Sequence, residues 1–411
     1  MITLVIAGAV GIFCIKWILT PEPPLKCGIY VQPNKWYPLK YLIFRVLMWM
    51  RKRQNKNLKN TSGDDAGYGM RSRSSPEDMD KVQILPPEHP KAVDAVYFNG
   101  GNKEGYFVVT ATARRHKNLV QTIVLLRVPG VGLLMMPSMP DTNLTGPGDS
   151  YSAGGLTMEV LEPMKTWRVA FQGKLRLSET GEEKAVSFDL KWTAITNFFD
   201  FDTDLHPAPT ADAIAREKWS RGYFENLKTV HQTHYEQFGE LVGDVCIEGM
   251  QPKPLRVRGV RDHSYGNIRD WKYFHRYGLQ YGYFSDGTCL CVGAISMPMC
   301  MSRLSVGYMF LKDGTLVPVS HTDFEFFNHG EDQNPPKQMT LGFTAGGTKY
   351  ELSIDVVQCP VFYMGEEWDA KIFERLCNFR LNGVEGWGIS EWDYRNYAGK
   401  EEEMRKLKAS S

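Results

Sequence analysis

From about residue 88 onward the chain is written in short runs of β-branched and aromatic residues broken by turn residues. Residues 93–98 meet the turn Asn99-Gly100-Gly101-Asn102, and runs at 105–113, 120–128, 155–160, 166–177 and 185–194 follow. The rhythm resumes at 288–296, 305–311, 316–319, 339–343, 350–357 and 377–383. Strand and helix do not alternate, so the pattern predicts antiparallel sheets closed into barrels or sandwiches. Between the two β stretches, residues 211–219 and 224–230 take helical spacing. The chain therefore divides into a first β domain over 86–204, a helical insert over 205–232, a second β domain over 233–398, and a charged tail over 399–411 that is a short solvated helix or disordered.

The amino-terminal portion has a different texture. Residues 2–19 are apolar except for Lys16, long enough for a spanning helix of roughly 20 residues. Met1-Ile2-Thr3 carries no basic charge ahead of it, so an uncleaved transmembrane anchor over 1–20 is expected rather than a secretory signal. Lys26, Lys35, Lys40, Arg45, Arg51, Lys52 and Arg53 follow, and the positive-inside rule then predicts a single-pass protein of the endoplasmic reticulum membrane with a cytosolic body. The sequons Asn60-Thr61-Ser62 and Asn143-Leu144-Thr145 keep a lumenal or secreted placement as the alternative. Pro21, Pro23 and Pro24 stop the first helix. Within the juxtamembrane segment 21–53, residues 36–50 are apolar and aromatic but too short to span. They read either as an interfacial helix against membrane lipids or as a helix docked on the core. Residues 54–85 read largely as a polar, flexible linker.

Composition narrows the function classes. A length of 411 residues with 43% hydrophobic content suits two domains with sizeable cores. Lys plus Arg (48) balances Asp plus Glu (47), so no global field attracts nucleic acid, and none is expected as a partner. Eight cysteines without a CxxC pair read as reduced, structural thiols. No GxGxxG, GxxxxGK[ST] or GxSxG occurs, which removes the usual support for nucleotide cofactors and α/β-hydrolases, and no cofactor is expected.

The densest chemistry is in residues 259–271, which hold Arg261, Asp262, His263, Tyr265, Arg269, Asp270 and Trp271 inside β-rich sequence. On a strand Asp262 and Ser264 share one side, and Arg261, His263 and Tyr265 the other. The set expected to line a pocket is His263 and Tyr265, with Asp262 holding His263 and pairing with Arg269 behind. Alternatively Arg261, Asp262, Arg269 and Asp270 form a buried ion-pair cluster that pins the strand and turn. His231, His234 and Glu236 resemble a ligand set, but in an extended strand the two His would face opposite sides, so no metal is expected.

Gly259-x-Arg261-Asp262-His263-Ser264-Tyr265-Gly266 followed by Arg269-Asp270-Trp271 resembles the Asp-His-Ser-Trp-Gly motif of the carotenoid 1,2-hydratase (hydroxyneurosporene synthase) superfamily, its animal members in particular. That superfamily is similar to AttH-like proteins and the lipocalin-like fungal Diels-Alderases. Tyr97-Phe98-x-Gly100, the strand from Trp167 to Gly173, His234-Tyr235-Glu236-Gln237-x-Gly239 and Gly386-Trp387-Gly388-x-x-Glu391 also match, so the likeness covers roughly residues 90–395. It implies a mostly β protein of two tandem lipocalin-like, calycin-type antiparallel barrels. It further implies proton transfer by the motif's His, here His263, with Tyr265 in place of the Trp. For a later Tyr and Asp pair the candidates are Tyr281 or Tyr283 with Asp286, although Asp286-Gly287 equally reads as a hairpin turn.

Hydration of, or cyclisation through, a double bond needs an acid that protonates carbon, an apolar cavity, and aromatic faces for the cation. The expected catalytic set is His263, Asp262, Tyr265 and Glu236. The expected binding set is Arg261, Arg269, Trp271, His234, Tyr235, Tyr281, Tyr283 and Glu391. Met297, Met299, Met301 and Met309 are soft lining or core filler. The reading is a membrane-tethered protein holding an isoprenoid or polyketide-like molecule between two barrels, as a cofactor-independent hydro-lyase, isomerase or cyclase. The alternative is a non-catalytic lipid-binding or lipid-transfer protein.

Overall fold

The computed structural model describes residues 19–55, 72 and 74–410. The expected membrane anchor lies almost wholly outside the described residues, and no described helix is long and apolar enough to cross a membrane.

Helix α1 (Tyr37–Asn55) and the single turn α2 (Pro76–Met79) precede a run of antiparallel strands. These are β1 (Val93–Gly101), β2 (Phe107–Arg114), β3 (Leu119–Val128), β4 (Gly132–Met135), the short β5 (Asn143–Thr145) and β6 (Tyr151–Ala153), β7 (Leu156–Glu162), β8 (Thr166–Leu177), β9 (Glu183–Ala194) and β10 (Phe199–Asp200). Helices α3 (Pro207–Arg216) and α4 (Arg221–Thr229) come next, within the stretch of helical spacing; Ser220 caps α4 by accepting from the Tyr223 amide at 3.0 Å. Then follow β11 (Thr233–Ile247), β12 (Lys253–Gly266), β13 (Arg276–Phe284), β14 (Cys289–Met297), β15 (Met301–Phe310), β16 (Leu316–Thr322), β17 (Gln338–Ala345), β18 (Thr348–Gln358), β19 (Val361–Met364), β20 (Ala370–Leu381), β21 (Val384–Arg395) and helix α5 (Gly399–Ser410).

Strands β9, β11, β12, β1, β2, β3, β4 and β8 form a closed ring, the first barrel; β13, β14, β15, β16, β17, β18, β20 and β21 form the second. Strand β8 shows why a barrel forms: Trp167, Val169, Phe171, Leu175 and Leu177 point into the core while the residues between them meet water. Strands β1, β2 and β13 are buried at every position. Both faces are covered because the barrels lie against each other there.

Two expectations about organisation are corrected. The boundary at 232/233 is displaced, because β11 and β12 belong to the first barrel: β12 pairs with β1 from Val93↔Gly266, and β11 with β9 from Gly239↔Ala194. The helical insert is an excursion inside that barrel, and strands of the second begin only at Arg276. The end of the expected linker is not a tether either. Asp80, directly after α2, is buried in the first barrel, where it meets Arg261 at 2.8 Å and accepts from the Tyr235 hydroxyl at 2.6 Å.

Helix α1 docks through Phe44 and Met48 against Ala211 and Ile214 of α3 and Tyr223 and Leu227 of α4. Ahead of it, Tyr30 is sunk into the second barrel's core, stacked on Phe326, its hydroxyl donating to Glu331 at 2.7 Å. The described cysteines are free thiols, of which Cys289, Cys291, Cys300 and Cys377 are buried. Met309 belongs to the second barrel's core, whereas Met297 and Met301 face the space between the barrels.

Candidate active site

The first barrel turns the outer faces of β1, β2, β3, β11 and β12 toward those of β13, β14, β15, β20 and β21, and a cavity of about 320 Å³ lies between them. That volume is near the lower end of the roughly 300–1,000 Å³ of small-molecule sites. Side-chain size makes the space: Ala95 stands opposite Ala113, and Tyr97 opposite Ala111, so methyl groups cover much of one wall. Ile123, Leu279, Ile295, Leu304, Val306 and Ile372 complete an apolar lining.

Two cross-strand pairs of carboxyl groups stand at this space, of which Asp262, Glu374 and Glu391 line it. Glu236 on β11 stands opposite Asp262 on β12, and Glu374 on β20 opposite Glu391 on β21. Like charges directly opposite on a sheet repel, and the site holds few cations to offset four carboxylates. Tyrosines hold the acids: Tyr308 donates to Glu236 at 2.7 Å and Tyr281 at 3.4 Å, Tyr97 reaches across the barrels to Glu374 at 2.5 Å, and Tyr277 donates to Glu391. His234 sits between the Ser264 hydroxyl, 2.6 Å from its Nδ1, and Glu236, 3.0 Å from its Nε2. Arg269, from the loop after β12, lines the cavity and donates to the Gln232 side chain at 2.8 Å.

Burial and mutual repulsion set the proton inventory. Burial raises Asp262 to about 6, with Glu236 adding to the rise and His234 and Arg269 opposing it. Burial also raises Glu391 to about 7, assisted by the charges of Asp262 and Glu236. Glu374 is driven well above the carboxylate range by burial and then by Glu391. Among the described residues its Oε2 has no hydrogen-bond partner. For His234, burial opposes the charged imidazole, but the bond to Glu236 and the charge of Asp262 outweigh it and raise the pKa. The 26% of its side chain left uncovered borders the cavity. One wall thus carries carboxyls that keep their protons near neutrality; the other carries Asp262, whose carboxylate can take one, beside an imidazole whose charged form is favoured.

Of the residues singled out from the sequence, Asp262, His234, Arg269, Trp271, Tyr281 and Glu391 line the cavity, and Glu236 lies just behind His234 and Tyr281. Five do not. His263, Tyr265, Arg261 and Tyr235 point the other way, into the first barrel, and Tyr283 sits at the flank, accepting from Arg258 at 2.5 Å. The strand's parity is the reverse of the expected one: Asp262 and Ser264 face the cavity. His263 is held not by Asp262 but by Asp94, with Nε2 to Oδ1 at 2.6 Å, and its Nδ1 lies 2.9 Å from the Tyr235 hydroxyl. Asp94 is also paired with Arg114 at 2.5 Å. Arg261 pairs with Asp80, and Tyr265 donates to Ser74 at 2.6 Å.

The proposed Arg261, Asp262, Arg269 and Asp270 cluster is therefore dispersed, and among the described residues no ion pair joins Asp262 to Arg269. Asp270 instead caps a short 3-10 turn by accepting from the Lys272 amide at 3.0 Å. Asp286 is the turn residue of the β13–β14 hairpin, accepting from the Thr288 amide at 3.0 Å beside Gly287 with φ of 94°. Sequence reasoning missed Glu374, Tyr277 and Tyr308, and took Tyr97 only as part of a hairpin. Among the described residues no group of three or more His, Cys, Asp or Glu is arranged to hold a metal ion.

Among solved structures, the chain is similar to an AttH-like protein from Nitrosomonas europaea, at 12% identity and TM-score 0.46, over 78% of this chain and 99% of that one. It is similar to kievitone hydratase from Nectria haematococca at 10% identity and TM-score 0.46, over 82% and 95% of the two chains. A third, CghA, has 10% identity and TM-score 0.45, over 74% and 88%. Likeness of this degree is no guide to a shared reaction. No match is found among curated proteins. The profile of DUF8627, a family of unknown function, matches residues 9–394, and the chain belongs to that family.

Proposed function

We propose that this protein binds an apolar small molecule, isoprenoid or polyketide-like, between its barrels and catalyses its acid-assisted hydration, isomerisation or cyclisation. The observation that carries this reading is the Glu374–Glu391 pair, which retains protons near neutrality in an apolar cavity, opposite Asp262 and His234. A protonated carboxyl of that pair gives its proton to an alkene carbon, and the π electrons form the new C–H bond. The aromatic faces of Trp271, Tyr281 and Phe201 stabilise the cation left on the neighbouring carbon. Asp262 then takes a proton, from a water adding to the cation in hydration, or from an adjacent carbon in isomerisation or after ring closure. Charge and atoms balance, and nothing is oxidised or reduced.

The test is incubation of the purified full chain with acyclic polyene alcohols (geraniol, farnesol, retinol) in heavy water, with products read by mass spectrometry. Turnover is expected to place solvent deuterium on carbon. Glu391→Gln is expected to lower the rate by about 10²–10⁴-fold while ligand binding persists. Turnover unchanged by Glu391→Gln would remove the proposed acid. Ligand that binds but returns unaltered and undeuterated favours a lipid-binding or lipid-transfer protein, a reading the apolar lining also supports.

A further inference from the structure

Helix α1 has two apolar faces, and the fold uses one. Phe44 and Met48 are buried against the helical layer. On the opposite side Leu39, Leu42, Ile43, Val46, Trp49 and Met50 stand in the open, from 41% exposed at Ile43 to 61% at Leu42. At about 100° per residue, the spacing 39, 43, 46, 50 makes a single stripe pointing away from the protein. Water-facing helices carry charge on such a face, and a contiguous apolar patch marks a binding surface.

Charge says what covers it. Between Pro23 and Asn55 the chain has seven basic residues and no acidic one, and Arg51, Lys52 and Arg53 follow directly on the stripe. The run 2–18, apolar but for Lys16, enters the same segment from its amino-terminal side. A protein partner of ordinary composition would not call for both features together. An anionic lipid bilayer does, since its headgroups attract the cations while its acyl chains accept the stripe. As α1 cannot itself span a membrane, it lies in the surface plane.

We infer that α1 is a membrane-surface helix, seated by its outer stripe in the interfacial zone of an anionic bilayer. The bilayer then lies on the far side of the helical layer from the cavity. The apolar cluster beneath α1 includes Val230, Cys300 and Met301, which also line the cavity. The inference is independent of the reaction proposed above, since it concerns only where the body rests.

The experiment mixes the full chain with vesicles of phosphatidylcholine and phosphatidylserine that carry a phosphatidylcholine with a photoactivatable diazirine on its acyl chain. Adducts are mapped by mass spectrometry. Adducts on Leu42, Val46 and Trp49 are expected, in addition to any on residues 1–18. The double substitution Leu42→Glu and Val46→Glu is expected to cut labelling of the α1 peptide at least about tenfold, because each carboxylate opposes insertion, while labelling of residues 1–18 persists. Both positions are exposed and leave the Phe44 and Met48 docking intact, which a thermal melt of the variant checks. Adducts confined to residues 1–18, an unchanged α1 signal in the variant, or cross-links joining α1 of two copies in place of lipid adducts would each overturn the inference.

Discussion

Glu374 and Glu391 stand directly opposite one another on β20 and β21, the first buried and the second partly so, with Tyr97 of the other barrel bonded to the first and Tyr277 to the second. Two ionised carboxylates in that position, away from water, would repel strongly. The pair keeps protons instead, and this ties the behaviour of the whole protein to pH.

Stability follows with a definite sign. The carboxyl of Glu391 has an ordinary value of 4.5 and is raised to about 7 in the folded chain, so between these values the folded state binds more protons than the unfolded one. Its contribution is fully present below the lower value and is lost as pH rises through the upper. Urea midpoints should therefore fall from pH 5 to pH 8, and Glu391→Gln, which cannot ionise, should flatten that decline. An equally steep decline in the variant would show that other groups govern it.

Catalysis should have a narrow pH window. Asp262, raised to about 6, must be ionised to take a proton, and the Glu374–Glu391 pair must be protonated to give one. The pH–rate profile is expected to be bell-shaped, rising near 6 and falling as the acid pair ionises above it. Asp262→Asn should remove the rising limb along with most of the rate, leaving binding in place. A flat profile over that range would speak against an acid on one wall and a base on the other.

His263 should matter for folding, not turnover. It is fully buried beside Asp94, which Arg114 also pairs. Replacing the imidazole leaves a buried aspartate short of a partner, a loss of about 3–5 kcal/mol by analogy with broken buried pairs. His263→Ala should show a lowered denaturation midpoint, while the fraction that remains folded turns over at the normal rate. A normal midpoint with abolished turnover would restore this residue to the chemistry.

The β class and the barrel pair were legible because β8 and β9 alternate cleanly, which only a sheet with one wet face does. Where chemistry lies, that signal vanishes. On β12 the apolar-polar contrast around 260–265 is gone, since one face meets the first barrel's core and the other meets the second barrel. Parity alone could separate Asp262 from His263 but could not say which side was which. Glu374 was invisible for a different reason. In Ala370–Leu381 charged and apolar residues mix as on any half-exposed strand, and its significance comes from Glu391, many residues later and one strand away. Asp80 was hidden by the polar stretch before it, since nothing local marks a carboxylate that will meet Arg261 across the fold.

The first barrel is closed by chain that arrives late. During synthesis β1 and β9 emerge with bare edges, since their partners β12 and β11 come only after α3 and α4 have been made. A nascent chain that has reached residue 232 is an open sheet with unpaired amides on two sides, a shape prone to pair with neighbours. The ring must wait for Gly266, and by then the helices are already available to shield it. A fragment cut at the 232/233 border that the hydrophobic pattern suggests would therefore be expected to aggregate, whereas one extended past Gly266 has every strand it needs to shut.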